Sequence, residues 1–470
     1  MCVIAQPAET NAISQYVTTL KNDSLFRSAS MSILVIDAKS KEIIASHQPQ
    51  TALISASTLK LVTTGLSLIA LGSDYSYQTS LWYNGNINDS TLTGNLYIVG
   101  GGDPTFASSE SIATPIDTIF AQWTAALKNK GIKRIDGNII ADETFFAQEE
   151  IPESWSWGDI GNYYGARPSG LPFHENSYLV QLSSGKKEGD STIIQRLYPN
   201  IPNADFVNTI TTGKRNSGNT ATIYNSPYSN KHFFTGTIPP QRDSVVIKGS
   251  NNSAAHTCIW YFSNYLNQEN IRFDGELEIR SKPYSASEEK VFLASHNSPS
   301  LLEIAAVTNK KSNNFYAETL LKTISLQKIK NSSFDSSLVA INYLLDSLNI
   351  SHNHLQIRDG SGLSRKNYLS AQFLFDFLYA MYRSPVYEDY FYTMAVPGDK
   401  GTFEKLLQSV PTKNRLHAKS GSMEGVRAYA GYSENPNRTI IFAIIINNFN
   451  YKISVLQPKV EKLLQLITEY

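Results

Sequence analysis

Apolar and polar positions follow two rhythms along this chain. In "SMSILVIDAKSKEIIASHQ", from Ser30, they alternate singly and break at "DAKSK", which predicts a strand hairpin. Beyond it Leu59, Val62, Leu66 and Ile69 recur at helical spacing, so a helix is expected there, closed by Gly72. An earlier helix is expected near Ala12 to Asn22. From about Ser73 to Glu289 short strand-like pieces ("SLWYNG", "GNLYIVG", "GNIIAD", "SYLVQLS") alternate with Gly, Asn, Asp and Pro turns. "PIDTIFAQWTAALKNKG" is the main helical exception in that region.

From Ser298 the helical rhythm returns in "SPSLLEIAAVTNKKS", "NNFYAETLLKTI", "SSLVAINYLLDSL" and "SAQFLFDFLYAMYRS". Three strands then follow, "NRLHAKSG", "GVRAYAGYS" and "TIIFAIIINNF", and a helix over "QPKVEKLLQLITEY". The run "IIFAIII" is about a third of the ~20 residues that span a membrane, and it reads as a buried strand. The two ends of the chain therefore match one α+β domain, residues 1–72 and 290–470. A β-rich insertion of two subdomains, residues 73–289, interrupts it.

Composition narrows the function classes. The 470 residues include 41 acidic and 41 basic side chains, and this balance argues against an electrostatic nucleic-acid binder. Cys2 and Cys258 are the only cysteines, too far apart in character to suggest a structural disulfide. No Cys/His spacing or HExxH pattern suits a metal, so neither metal nor cofactor is expected. At the start, "VIA" before Gln6 reads either as the tail of an export segment, its leader missing or truncated, or as an unstructured native terminus.

The candidate chemistry begins at "LISASTLKLVTTG", where Ser57 and Lys60 stand one turn apart at a helix start. A neutral lysine is a base, and its reference pKa of ~10.4 must fall for that role. Apolar burial, the positive helix end and a second cation would each lower it. A serine there also gains backbone N–H groups for an oxyanion. Taken alone, Ser-x-x-Lys is a cheap pattern: it recurs from Ser183, Ser184, Ser287 and Ser325, and a cap beside a solvated amine is its commoner meaning. Ser312-Asn313-Asn314, between two helices, could project a hydroxyl and an amide into a cleft, but Ser-x-Asn recurs at Ser250, Ser295 and Ser347. Lys419-Ser420-Gly421, followed by Ser422, occurs once. Alternation puts Arg415, His417 and Lys419 on one strand face, and a cation with hydroxyls beside a glycine suits a carboxylate. The plain alternative is a basic strand end on a solvated face.

In this order and setting, Ser-x-x-Lys on a helix after a hairpin, Ser-x-Asn between helices and Lys-Ser-Gly on a late strand, the chain resembles the penicillin-recognising serine transferases. "NLYIVGGGDPTF", "WSWGDIGNYYGARPSG", "DGSGLSR" and "AKSGSMEGVRAYAGY", with the long gap from Ser57 to Ser312, look like the S13 family. This is the class C low-molecular-mass group of D-alanyl-D-alanine carboxypeptidase/endopeptidases. Two departures stand out: Ser55 where the family usually has Pro, and Ser420 where it has Thr.

The resemblance implies a penicillin-binding, β-lactamase-like domain with an antiparallel sheet flanked by helices. It also implies an acyl-enzyme on Ser57, with Lys60 as base and Ser312 as proton relay. Asn314 would hold the substrate amide, Lys419, Ser420 and Ser422 the terminal carboxylate, and the N–H groups of Ser57 and Ser422 the oxyanion, with Gly421 letting the backbone approach. Peptidoglycan stem peptides are the implied substrates, β-lactam antibiotics the implied covalent inhibitors, and the periplasm or another extracytoplasmic space the implied location. A β-lactamase or esterase on this scaffold is disfavoured by the length and by the lack of a class A type Glu-bearing loop after Ser312. A non-catalytic wall-binding protein is disfavoured by the complete set of catalytic side chains. "GGGDP" lacks the Lys-Ser/Thr of a phosphate loop and reads as a tight turn, as do the glycines of "DGSGLS". His352 and His354 read as a polar loop, and His417 is not needed as a base beside Lys60.

Overall fold

The alternating segment forms the expected hairpin of β1 (Ser30–Asp37) and β2 (Ile43–His47). Far along the chain follow β3 (Leu416–Met423), β4 (Val426–Asn435) and β5 (Arg438–Asn447). The five strands make one antiparallel sheet in the order β2-β1-β5-β4-β3, with Ile33 opposite Ile444 and Lys419 opposite Ala430. The computed structural model describes residues 11–147, 151–282, 289–353 and 355–470. Cys2, the "VIA" segment, Ser287 and His354 lie outside the described residues.

Two compact units emerge. One holds the chain up to Ser73, Ala305–Asn313 and Leu338–Tyr470; the other holds Asp74–Ile304 and Asn314–Ser337. In the first, β5 is covered on both faces, and no residue from Ile440 to Ile446 is more than 1% exposed. That explains its unbroken apolar run. On one side Ile33, Val35, Phe442 and Ile444 pack against two helices, Ala12–Asn22 and Ile453–Glu469. The first of these starts at Asn11, whose side chain accepts the Ser14 N–H at 2.8 Å, and it buries Ile13, Val17 and Leu20 at helical spacing. The helix Ala371–Tyr382 lies against β1 and β5, capped by Ser370, which accepts the Phe373 N–H at 3.1 Å. An antiparallel sheet with helices packed on it is the expected α+β arrangement.

The second unit has two cores. In one, the helices Ile116–Asn129 and Ala254–Gln268 pack Phe120, Trp123 and Phe262 together beside strands that include Leu96–Val99 and Ile139–Asp142. The helix Ala254–Gln268 corrects the sequence reading of a region with one main helix. Its buried Cys258, Ile259, Phe262 and Leu266 do recur at helical spacing, but strand-favouring Ile, Trp, Tyr and Phe and interleaved Asn mask the pattern. The other core, with Tyr178, Val180, Ile223 and Phe234, is built from short strands. Among the described residues no helix is long and apolar enough to cross a membrane.

Candidate active site

Ser57 lies in a short 3-10 turn, Ala56–Leu59, and Lys60 opens the helix Lys60–Leu71. One turn of separation folds the lysine back on the serine, so that Nζ stands 3.0 Å from Ser57 Oγ. Lys60 is 0% exposed, while Ser57 is half-buried and open to a reactant. The turn is held in an uncommon conformation: Ala56 has φ +46°, and Thr58 Oγ1 donates to the Ser55 carbonyl at 2.7 Å. Gly72 closes the helix, its N–H donating to the Leu68 carbonyl at 3.0 Å.

A buried amine needs acceptors, and the segment "DGSGLS" supplies one. Lys60 Nζ donates to the Ser361 carbonyl at 2.6 Å, and Thr63 Oγ1 in the next helical turn donates to the Gly360 carbonyl at 2.7 Å. The buried carboxylate of Asp359 shapes this loop. Its Oδ1 accepts from the Gly362 N–H and from Asn367 Nδ2, each at 2.8 Å, and its Oδ2 accepts the Ser364 N–H at 2.6 Å. Gly362 has φ +82°, and a methyl there would sit 2.0 Å from the Ala56 carbonyl oxygen, so only glycine fits. Asp359 and the two carbonyls are the parts that sequence reasoning missed: it found the tight turn but not its purpose, because a backbone acceptor has no residue signature.

On the other side of the nucleophile, β3 approaches closely. A methyl on Gly421 would lie 2.7 Å from the Ser55 carbonyl oxygen and 3.1 Å from the Ser57 nitrogen. The glycine thus serves the approach of strand to nucleophile turn. Lys419 is fully buried, and its Nζ donates to the Ser420 carbonyl at 2.6 Å. Burial first, then the neighbouring cations Lys60 and Arg427, hold its ammonium well below the usual amine range. Arg427, opposite Ser422 on β4, also escaped the sequence reading; its guanidinium hydrogen-bonds the Tyr429 hydroxyl and lies over that ring. Ser420 is buried and Ser422 exposed. His417 stacks on Phe391 at 4.0 Å, and burial lowers its pKa to about 4, so it is uncharged at neutral pH.

Ser312 belongs to the first unit, half-buried with φ +59°. It follows a helix end pinned where the Lys310 carbonyl accepts the Thr402 N–H at 3.2 Å. Asn314 begins the helix Asn314–Ile329 of the second unit, and its amide donates to the Tyr164 carbonyl of that unit at 2.9 Å. The geometry therefore joins Ser57, Lys60 and Gly421 directly and couples Lys419 to Lys60 electrostatically. The Ser-x-x-Lys repeat at Ser325 is ordinary structure: its Oγ donates to the Asn331 carbonyl at 2.5 Å. In "GGGDP", Asp103 Oδ1 accepts the Thr105 N–H and hydroxyl at 2.8 and 2.6 Å, a tight turn.

Comparisons with known proteins identify the family and the fold. The profile of the D-Ala-D-Ala carboxypeptidase 3 (S13) family matches residues 13–468. A D-alanyl-D-alanine carboxypeptidase of Actinomadura sp. (strain R39) is 26% identical over 453 residues, covering 94% of this chain and 82% of the relative. The D-alanyl-D-alanine carboxypeptidase DacB of Haemophilus influenzae is 25% identical over 422 residues, 87% of this chain and 83% of its own. The crystal structure of penicillin binding protein 4 (dacB) from Haemophilus influenzae superposes with a TM-score of 0.82 at 22% identity, covering 98% of this chain and 100% of that one. This likeness establishes the fold.

If the Asp359 loop places the amine, Asp359→Ala should slow covalent labelling of Ser57 by an active-serine acylating reagent about 100-fold, the scale of a ~1 Å misplacement. Asp359→Asn, which keeps the Oδ1 acceptor, should recover part of the rate. Intact-mass time courses on folded protein would measure this. Equal rates in all three proteins would mean that the Ser361 carbonyl does not position Lys60.

Proposed function

Because the chain belongs to the D-Ala-D-Ala carboxypeptidase 3 (S13) family, we propose that it is a serine-type D-alanyl-D-alanine carboxypeptidase of peptidoglycan, working through an acyl-enzyme on Ser57. The observation that carries this reading is a fully buried amine, Lys60 Nζ, 3.0 Å from the Ser57 hydroxyl oxygen. Ser57 Oγ attacks the carbonyl of the penultimate D-alanine, and its proton passes to the Lys60 amine, which accepts it in its unprotonated form. Charge develops on the carbonyl oxygen, for which the N–H groups of Ser57 and Ser422 are the proposed donors. The close approach of β3 to the Ser55–Ser57 turn at Gly421 supports that pairing.

The peptide C–N bond then breaks, and Lys60 gives its proton, by way of Ser312, to the departing D-alanine amine. Water attacks the resulting ester and gives a proton to Lys60, which passes it to Ser57 Oγ as the acyl C–O bond breaks. Lys419, Ser420 and Ser422 are the proposed partners of the terminal carboxylate, and the positive charge that Arg427 adds around the buried Lys419 amine supports an anion there. For Asn314, as holder of the substrate amide, the proposal rests on the Ser312-Asn313-Asn314 motif. A β-lactam opened by Ser57 keeps its leaving nitrogen tethered, so the ester persists and the drug inhibits. The same attack with a larger leaving amine would cut D-alanyl cross-links. A wall substrate places the work outside the cytoplasmic membrane.

Ser57→Ala should lose both labelling by a fluorescent penicillin and release of D-alanine from a stem pentapeptide. Mass analysis of digested sacculi reads the balance of activities: free D-alanine without new monomeric muropeptides means trimming only, and monomers mean cross-link cleavage as well. Penicillin labelling that survives in Ser57→Ala would place the nucleophile elsewhere. A pH profile tests Lys419. Arg427 is one of the cations that lower Lys419, so Arg427→Gln raises that pKa and keeps Lys419 charged to higher pH. The alkaline fall of kcat/KM for a carboxylate-ended peptide should therefore move upward, and a fall that stays or moves downward would contradict the assignment.

A further inference from the structure

The second unit carries a cationic mouth that the chemistry at Ser57 does not use. Three of its loops meet there: "SGKKEGD" (184–190), "TGKRN" (212–216) and "PPQR" (239–242). Backbone hydrogen bonds knit them together. The Gly189 N–H donates to the Thr212 carbonyl at 2.9 Å, the Thr212 N–H to the Asp190 carbonyl at 2.8 Å, and the Gln241 N–H to the Gly185 carbonyl at 2.9 Å. Ser184 joins the third loop, its hydroxyl donating to the Pro239 carbonyl at 2.6 Å and accepting the Arg242 N–H at 2.9 Å. They enclose an open cleft of about 630 Å³ lined by Lys186, Lys214, Arg215, Arg242 and Glu188.

All four cations are exposed, and among the described residues none of them forms an ion pair. The whole chain is neutral, with 41 acidic and 41 basic residues, so this concentration is local and not part of a general positive field. Loop ends that merely keep a protein soluble would mix the signs or be independently mobile. Here cations predominate on three mutually braced loops; of the two carboxylates in those loops Glu188 lines the cleft, while Asp190 accepts the Lys187 N–H of its own loop at 2.8 Å.

We propose that this cleft is a second, non-catalytic contact for the wall polymer, holding the free carboxylates of peptidoglycan stem peptides while the peptide being cut occupies the Ser57 site. This rests on the proposed carboxypeptidase function. Arginine and lysine recognise carboxylates, Arg in bidentate fashion. Glu188 decides between anionic partners: stem peptides carry amines as well as carboxylates and can satisfy it, whereas a polyphosphate chain would be repelled by it. A short soluble peptide reaches only the Ser57 site. An insoluble sacculus presents many stem peptides, so a second weak contact raises the local concentration of cleavable ends.

The test is co-sedimentation of the full chain with purified sacculi at low salt, comparing the parent with Lys186→Glu/Lys214→Glu/Arg215→Glu. The bound fraction should fall about tenfold in the variant, the scale for several exposed charge contacts reversed together. Added salt should weaken parent binding, and amidating the carboxylates of the sacculi should remove it. D-alanine release from a soluble pentapeptide should stay equal in both proteins, which also certifies folding. Lys186→Gln/Lys214→Gln/Arg215→Gln should fall between them.

Equal sedimentation of parent and charge-reversed protein, or no binding by the parent, would overturn the proposal. So would parent binding lost on stripping phosphate polymers from the sacculi but kept on amidation, which would assign the cleft to a phosphate chain. If the parent leaves the soluble peptide uncut yet sediments in a cleft-dependent way, the catalytic reading fails while the cleft remains a wall contact. If the peptide is cut and the cleft variants sediment normally, only the cleft proposal fails.

Discussion

Everything in the first unit turns on one buried amine held against a hydroxyl. Lys60 has no exposed surface, and its Nζ lies between Ser57 Oγ and the Ser361 carbonyl. Moving an amine out of water is unfavourable by several kcal/mol unless its hydrogen bonds are replaced. Among the groups that replace them is the Ser361 backbone carbonyl, which has no proton to give and cannot become a competing base.

The rest of the first unit holds the two walls of that arrangement. On one side Asp359 accepts from Gly362, Ser364 and Asn367 and ties the 359–364 loop into shape, and Gly362 lets it rest on the Ala56 carbonyl. On the other, Gly421 lets β3 lie against the nucleophile turn. Strand β3 is placed by its ladder to β4, and β4 by β5, whose two faces are sealed by helices and apolar side chains. Small residues at the points of contact and a rigid central sheet behind them are two parts of one solution. Close-packed interiors transmit position without slack.

Much of this was legible in the residues. Helical spacing placed Lys60 at the start of an apolar helix, alternation placed Lys419 on a strand, and the unbroken apolar run from Ile440 identified the covered central strand. Other features were not legible, each for a physical reason. The Ser361 carbonyl acts through the main chain, which every residue possesses. Gly421 was expected to let the backbone approach, but that it faces the Ser55–Ser57 turn is a contact across several hundred residues of sequence. The helix Ala254–Gln268 was hidden by aromatic and β-branched residues whose local preference tertiary packing overrides. Asn314, one residue from Asn313, opens a helix of the other unit and donates to Tyr164 there. Nothing in a three-residue motif marks such a boundary.

The claim beneath all of this is that the amine at position 60, rather than some other group, takes the proton of Ser57. The most direct measurement is the second-order rate of Ser57 acylation by a fluorescent penicillin in Lys60→Met, which keeps the length and burial of the side chain but not its basicity. Removing a general base of this kind should slow acylation about 1,000-fold, with the protein still folded and Ser57 still the labelled residue. A Lys60→Met protein acylated at the parent rate would contradict the account.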